Sequence, residues 1–211
     1  NYNTAEVTEK AVRMFLQATE SIEREVILID NGSSSPIRWT DSSAPVRAIY
    51  NKDNRGFAAA VNQGLASCRG EYILLLNSDV FVAPEALGAL MAYADSHAPV
   101  GIVGPMMKYP DGSFQASCGR FPSLWREFLR FSTLGKLIPG GTLAYRSFLN
   151  RHWFAQPQEV DWVSGGCMLI KKSVIETIGP LDTAIFFGVE DFDYCLRACK
   201  AGFGVAYVPQ A

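Results

Sequence analysis

Residues 71–80 read Glu-Tyr-Ile-Leu-Leu-Leu-Asn-Ser-Asp-Val, and the fold is decided by how this stretch is read. Tyr72 to Leu76 is an unbroken apolar run of strand length, the pattern of a strand buried on both faces in a sheet covered by helices. It stops at Asn77-Ser78-Asp79. Pro84 stands where a helix can begin, and Leu87, Leu90, Met91 and Ala94 follow on one face at spacings of three and four. An acid at the carboxyl end of a buried strand lies where open α/β sheets bind their ligands. Asp79 there suits a divalent cation held against phosphate oxygens; the alternative is that it merely turns the chain.

Toward the amino end, residues 4–22 read as a helix with the stripe Val7, Ala11, Met14, Phe15, Ala18 and Ile22. Residues 26–29, Val-Ile-Leu-Ile, form another buried strand ending at Asp30-Asn31-Gly32-Ser33. Residues 45–51 alternate, with Val46, Ala48 and Tyr50 on one face, and read as a strand. A loop, 52–56, leads into a helix whose inner face is Phe57, Ala60, Val61, Gly64, Leu65 and Cys68. Strands alternating with helices predict a mainly parallel sheet with right-handed crossovers. Its strand ends, Asp30-Asn31, Asn51 to Asn54 and Asn77 to Asp79, then fall along one edge.

Beyond Asp79 the pattern changes. Residues 100–109 read as a strand, and Pro110-Asp111-Gly112 as a hairpin turn before 114–118. Residues 120–154 carry Trp125, Phe128, Leu129, Phe131, Leu134, Leu137 and Ile138 among Arg126, Arg130, Lys136, Arg146 and Arg151. This segment suits either an amphipathic surface for a membrane or lipid-linked ligand, or a helix packed on its own domain. Residues 160–166 form a turn entering a strand at 167–170, and Ser173-x-x-Glu176 fits a capping box for a helix ended by Gly179-Pro180. A last helix runs from Phe192 with Cys195, Leu196 and Cys199 on one face and Gly202 as its stop, before a strand at 204–209. Glu190 and Asp191 therefore sit at a helix start, where free N–H groups and the dipole favour negative charge, as caps or as working acids.

With 211 residues, 48% of them hydrophobic, the chain suits one large domain. Its net charge of −2 gives no electrostatic case for nucleic-acid binding. No apolar run reaches the roughly 18 residues of a membrane span, and no secretory leader opens the sequence, so a cytoplasmic setting is expected. The five cysteines lack a Cys-x-x-Cys pair and read as reduced core residues. Dinucleotide, phosphate-loop and Gly-x-Ser-x-Gly signatures are all missing, and His97 and His152 have no ligand partner at metal spacing. The chemistry falls to carboxylates.

In this pattern the chain resembles the inverting glycosyltransferases of family 2, which have the GT-A fold, a Rossmann-like, mainly parallel mixed sheet flanked by helices with a small antiparallel acceptor-side element. The resemblance covers nearly the whole chain as a single catalytic domain, with a nucleotide-sugar half (1–99) and an acceptor and catalytic-base half (100–211). It implies that Asn1-Tyr2-Asn3 ends a first strand, with Tyr2 against the nucleobase, and that Asp30 and Asn31 contact the base. It extends the nucleotide side to Asn54, Gly56, Asn62, Asn77 and Ser78. Leu76-Asn77-Ser78-Asp79 is similar to the family's Asp-x-Asp metal motif, implying Mg²⁺ or Mn²⁺ on Asp79. Residues 160–166 resemble the acceptor-side turn, with Asp161, Trp162 and Glu190 on the acceptor, and Glu190-Asp191-x-Asp193 with Arg197 resembles the catalytic acid motif, with Asp191 as base.

The implied reaction is inverting transfer of a sugar from a UDP- or dTDP-linked donor to a hydroxyl of a glycan or lipid-linked acceptor. The subfamily is similar to bacterial rhamnosyltransferases of cell-surface polysaccharide assembly. A metal would neutralise the leaving diphosphate while Asp191 takes the acceptor proton as the new bond forms. Peripheral membrane contact through 121–151, at the inner face of the plasma membrane, goes with that reading. The competing expectations are a non-catalytic nucleotide-sugar-binding or assembly module on the same fold, and a nucleotidyltransferase, which would show a glycine-rich basic phosphate loop.

Overall fold

A computed structural model describes residues 1–123 and 153–211. The expected aromatic and basic segment, Trp125, Phe128 and their neighbours through Arg151, lies outside the described residues apart from its edges, as does His152. The described elements are β1 (Val26–Asn31), β2 (Val46–Asn51), β3 (Tyr72–Leu76), β4 (Val100–Pro105), β5 (Met107–Lys108), β6 (Phe114–Gln115), β7 (Cys118–Gly119), β8 (Gln158–Val160), β9 (Trp162–Val163), β10 (Cys167–Lys171) and β11 (Gly204–Val208). The helices are α1 (Ala5–Ala18), α2 (Phe57–Leu65), α3 (Ala86–Ser96), α4 (Lys172–Ile178) and α5 (Glu190–Lys200).

The fold is α/β with mixed pairing. A five-stranded sheet has the order β3-β10-β4-β11-β8, and β1 and β2 form a parallel pair of their own. Within the larger sheet β4 and β11 are parallel, while β10 runs antiparallel to both β3 and β4. Strand β3, from the first half of the chain, is thus bonded directly to β10 from the second. Asn1 extends the smaller pair: its nitrogen donates to the Ile29 carbonyl at 2.7 Å and its carbonyl accepts from Asn31 N at 2.8 Å. Bonds to the residues flanking Asp30 are those a neighbouring parallel strand makes.

The apolar runs are buried on both faces. Ile73, Leu75, Ile102, Met168, Ile170, Val205 and Tyr207 point into one core with Ala58 of α2, Val174 of α4 and Tyr194, Cys195 and Ala198 of α5. The alternate residues Val103, Leu169, Ala206 and Val208 point into a second core with Phe15 of α1 and Leu87, Leu90 and Ala94 of α3. Each fully buried Leu or Ile is worth about 1.5–3 kcal/mol relative to exposure. The hairpin at 110–112 forms as expected, with Gly112 N donating to Tyr109 O at 2.8 Å and β5 pairing with β6.

Several sequence expectations are corrected. Helix α1 stops at Ala18, because the Thr19 hydroxyl donates to Phe15 O and Arg24 reaches Leu16 O, closing its carbonyl end. Its buried face is Thr8, Ala11, Val12 and Phe15, so Val7 and Met14 are exposed. Thr8 is tolerated inside because its hydroxyl donates to the Thr4 carbonyl. Tyr50 is exposed while Val46 and Ala48 pack inward. Ser173 lies within the first turn of α4 and no capping bond forms, although Gly179, with φ 75°, ends the helix as read. On α5 the buried positions are Glu190, Tyr194, Cys195 and Ala198; Leu196 and Cys199 face outward. The buried thiols fit the core reading, and burial pushes Cys118, Cys167 and Cys195 up to about 12.

One close approach sets where the acceptor-side turn sits. A Cβ on Gly104 of β4 would meet Val163 Cβ of β9 at 2.6 Å. Val163 is buried and its Cβ is fixed by the backbone, so no side-chain rotation relieves the contact. Gly104→Ala is expected to destabilise the domain by about 1–3 kcal/mol, read from the urea midpoint. An unchanged midpoint would show that β9 can lift off the sheet.

Candidate active site

The site is assembled from strand ends. At the end of β1, Asp30 is 1% exposed, and its carboxylate accepts from Ser33 N at 2.9 Å, Ile37 N at 3.1 Å and the Asn1 amide. Burial alone would raise its pKa. The backbone bonds from Ser33 and Ile37, helped by the Asn1 and Ser33 side chains, outweigh that and hold it below the ordinary 3.8. Asp30 therefore shapes the turn from inside it.

Asn31 is also buried, and its side-chain bonds serve the end of β2 and the loop after it. Its amide nitrogen donates to Asn54 Oδ1 at 2.9 Å and Gly56 O at 3.1 Å, while its oxygen accepts from Asn51 Nδ2 and Arg55 N. Asn51 and Gln63 exchange two further amide bonds at 2.8 and 2.9 Å. Asn54 Oδ1 also accepts from Gly56 N at 2.9 Å. In the sequence Asn51 reads as the start of a polar strand end and Gln63 only as part of the nucleotide-side segment; their mutual pairing, from a strand end to helix α2, was not foreseen. Asn62 stands apart from this network: both ends of its amide pair with the backbone of Leu181. Tyr2, 49% exposed, leaves its ring open to solvent beside the β1 turn.

At the end of β3, Asn77 N donates to Gly166 O at 3.0 Å, which prolongs the β3–β10 ladder into the turn before β10. Ser78 Oγ lies 3.1 Å from the Thr4 hydroxyl. Asp79 is exposed, and its carboxylate has no hydrogen bond or ion pair among the described residues. No group of three His, Cys, Asp or Glu converges among the described residues. One free, hard carboxylate fits Mg²⁺ or Mn²⁺ whose remaining ligands are diphosphate oxygens and water, as such ions are bound beside nucleotides.

The other carboxylate comes from α5. Asp191 Oδ2 accepts from Gly165 N at 3.0 Å, and Oδ1 accepts from Phe192 N at 2.9 Å. Gly166 meets β3 and its neighbour Gly165 meets Asp191, so one turn joins the segment carrying Asp79 to the helix carrying the second acid. Glu190 is 9% exposed in a narrow recess too tight to hold a water molecule, lined by Phe57, Leu75, Met168, Leu181 and Tyr194 with Gly165 and Asp191. Its Oε2 has no partner among the described residues. Asp193 instead pairs with Arg197 at 2.8 Å.

On the acceptor-side turn, Asp161 accepts from Arg120 Nη1 at 3.0 Å and Phe121 N at 2.6 Å, so it anchors the chain where residues 120–121 leave β7. Trp162 stacks on Phe192 of α5, ring centroids 4.2 Å apart, and lies over Gly119. Trp162, Asp191 and Glu190 are thereby gathered around the start of α5. Arg120 and Phe192 complete that cluster and had no motif to announce them.

The mixed α/β sheet, with Asp79 after one strand end and Asp191 at a helix start, has the fold of GT-A domains. The mannosyltransferase PcManGT of Pyrobaculum calidifontis, solved with GDP-Man and Mn²⁺, matches with a TM-score of 0.61 at 18% identity, over 99% of this chain and 52% of that one. The sequence profile of Glycosyl transferase family 2 matches residues 1–179, and the chain belongs to that family. The N-acetylglucosaminyl-diphospho-decaprenol L-rhamnosyltransferase of Mycobacterium tuberculosis is 32% identical over 88% of this chain and 64% of its own. The low-salt glycan biosynthesis hexosyltransferase of Haloferax volcanii is 26% identical over 86% of this chain and 55% of its own. The chain thus spans less than two thirds of each of these relatives.

The depressed Asp30 carboxyl sets a pH dependence. Its stabilisation is complete above the unfolded value near 3.8 and is lost as pH falls through the lower folded value. Asp30→Asn is expected to cost about 2 kcal/mol at neutral pH. The gap between wild-type and variant urea midpoints should narrow as the pH is taken below 3.8. A gap that stays constant into strong acid would contradict the assignment.

Proposed function

We propose that the chain is the catalytic domain of a metal-dependent inverting glycosyltransferase. It takes the sugar of a UDP- or dTDP-linked donor and joins it to a hydroxyl of a glycan or lipid-linked acceptor in cell-surface polysaccharide assembly. The observation that carries this is the Gly165-Gly166 turn, bonded at once to the end of β3 and to Asp191. It gives the site one carboxylate on the donor side and one on the acceptor side. A rhamnosyl or hexosyl donor, and an acceptor on a prenyl diphosphate, are supported by the names of the relatives. Work at the inner face of the plasma membrane follows from a lipid-linked acceptor. Residues 121–151 are the segment proposed to meet the membrane; among the described residues no helix is long and apolar enough to cross one.

Mg²⁺ or Mn²⁺ bound at Asp79 supplies neutralisation of the charge that develops on the leaving diphosphate. The chain does the rest. The turns built on Asn31, Asn54 and Gly56 present the nucleotide with a wall tied together by bonds from the Asn31 amide and to the Asn54 carbonyl oxygen. Each Asp191 oxygen has one backbone N–H bond and keeps a lone pair for the acceptor hydroxyl. Asp191 takes that proton as the oxygen attacks from the face opposite the diphosphate, which inverts the anomeric centre. Trp162, stacked on Phe192, offers a flat apolar face to the acceptor sugar beside it.

Asp191→Asn is expected to lower kcat by about a thousandfold or more with donor affinity unchanged. Asp79→Ala should abolish the gain in donor affinity that Mn²⁺ brings, followed by calorimetry with UDP- and dTDP-sugars. Donor binding that is metal-independent in wild type would remove Asp79 from its role. Donor binding without transfer by the full-length wild-type protein would favour the non-catalytic module.

A further inference from the structure

Residues 179–189, between α4 and α5, form a strap that the rest of the molecule fastens at three places. Asn62 of α2 donates from Nδ2 to Leu181 O at 2.8 Å and accepts from Leu181 N at 2.9 Å, across 119 residues of sequence. Phe57 N, the first of α2, donates to Phe186 O at 3.0 Å. Arg197 of α5 donates to Ile178 O at 2.9 Å and Pro180 O at 3.0 Å while its Nε holds Asp193. The fit at the second point is close: a Cβ on Gly56 would meet Phe186 O at 2.8 Å.

The strap runs straight into the acids. It ends in Gly188 with φ 82° and Val189 with φ 65°, and Val189 is the residue capping α5 just before Glu190 and Asp191. A β-branched residue in the left-handed region is strained and persists only where its surroundings dictate it. Here the strap is pinned at Leu181 and Phe186, and α5 is pinned through Arg197, so the chain between them has little freedom to relax. Leu181 itself lines the recess shared by Glu190 and Asp191.

We propose that Asn62 is a positioning residue for transfer: by pairing with Leu181 it fixes the strap, and through the strap the start of α5 and Asp191. This rests on the reading of Asp191 as the base. An amide suits this place because its separate donor and acceptor atoms pair at once with the carbonyl and the N–H of one backbone residue. With both ends so engaged, Asn62 acts on the acid end of the site, and its effect falls on turnover. Helix α2 follows directly from the Asn54–Gly56 loop, so the same helix serves the donor wall at its start and the strap along its side.

The test uses the full-length protein with whichever UDP- or dTDP-sugar the wild type binds in the presence of Mn²⁺. Calorimetric stoichiometry counts folded donor sites, and rates are expressed per site. Asn62→Ala removes both bonds; the isosteric Asn62→Asp keeps acceptance from Leu181 N and sets a carboxylate against Leu181 O. Both variants should lose about tenfold or more in kcat with donor Kd within about threefold of wild type. Amide hydrogen exchange over residues 181–189 should quicken in both. A donor Kd that rises while kcat holds would make Asn62 a donor ligand and overturn the proposal, as would no change in either constant. Wild-type transfer by Asp191→Asn would defeat the reading of the base itself, and is scored separately from the Asn62 variants.

Discussion

Two adjacent peptide groups hold the site together. The Gly166 carbonyl accepts from Asn77 at the end of β3, and the Gly165 N–H donates to Asp191 at the start of α5. Asp79 and Asp191 are far apart in sequence, and neither the strand nor the helix that carries them specifies their relation. The turn before β10 does, because β10 lies directly against β3. Antiparallel insertion of β10 is therefore more than a detail of topology. It brings the turn that bonds Asp191 to the strand end that leads to Asp79.

The polar groups around this centre divide into those spent on structure and those left free. Asp30, Asn31, Asn54, Asn62 and Asp161 are all engaged with the chain itself. Polar side chains bonded to their own chain stiffen the wall, and orphaning the partners of the buried ones, Asp30 and Asn31, is costly. Asp79, the Trp162 face and the second lone pairs of Asp191 remain for ligands. A site built this way orders little on binding, so donor and acceptor meet groups already in place.

Much of this was legible in the sequence. The run 72–76 and the strands and helices around it were enough for the class of fold, and the strand end after β3 and the Glu190-Asp191 pair drew attention to the two acids proposed to work. What failed did so for physical reasons. The stripe on α1 was assigned by hydrophobicity, but Thr8, satisfied by the Thr4 carbonyl, takes a core position and rotates the helix so that Val7 and Met14 face water. Ser173 carried a capping pattern, yet α4 follows β10 without a break and leaves no cap position for it. Leu196 and Cys199 fitted the helical period of α5, but Tyr194 and Ala198 hold the inner face. The roles of the amides were the least visible: Asn62 and Leu181 form one bonded pair across 119 residues, which no local pattern can reveal.

On the proposed reading, a metal-side carboxylate at Asp79 and a base at Asp191 would admit a single displacement with no covalent intermediate on the chain. The stereochemistry of transfer is therefore the direct test. Proton NMR of the first product formed from an anomerically pure donor should show the new glycosidic bond with the configuration opposite to that of the donor. Retention would contradict a base at Asp191 and require a nucleophile on the donor face.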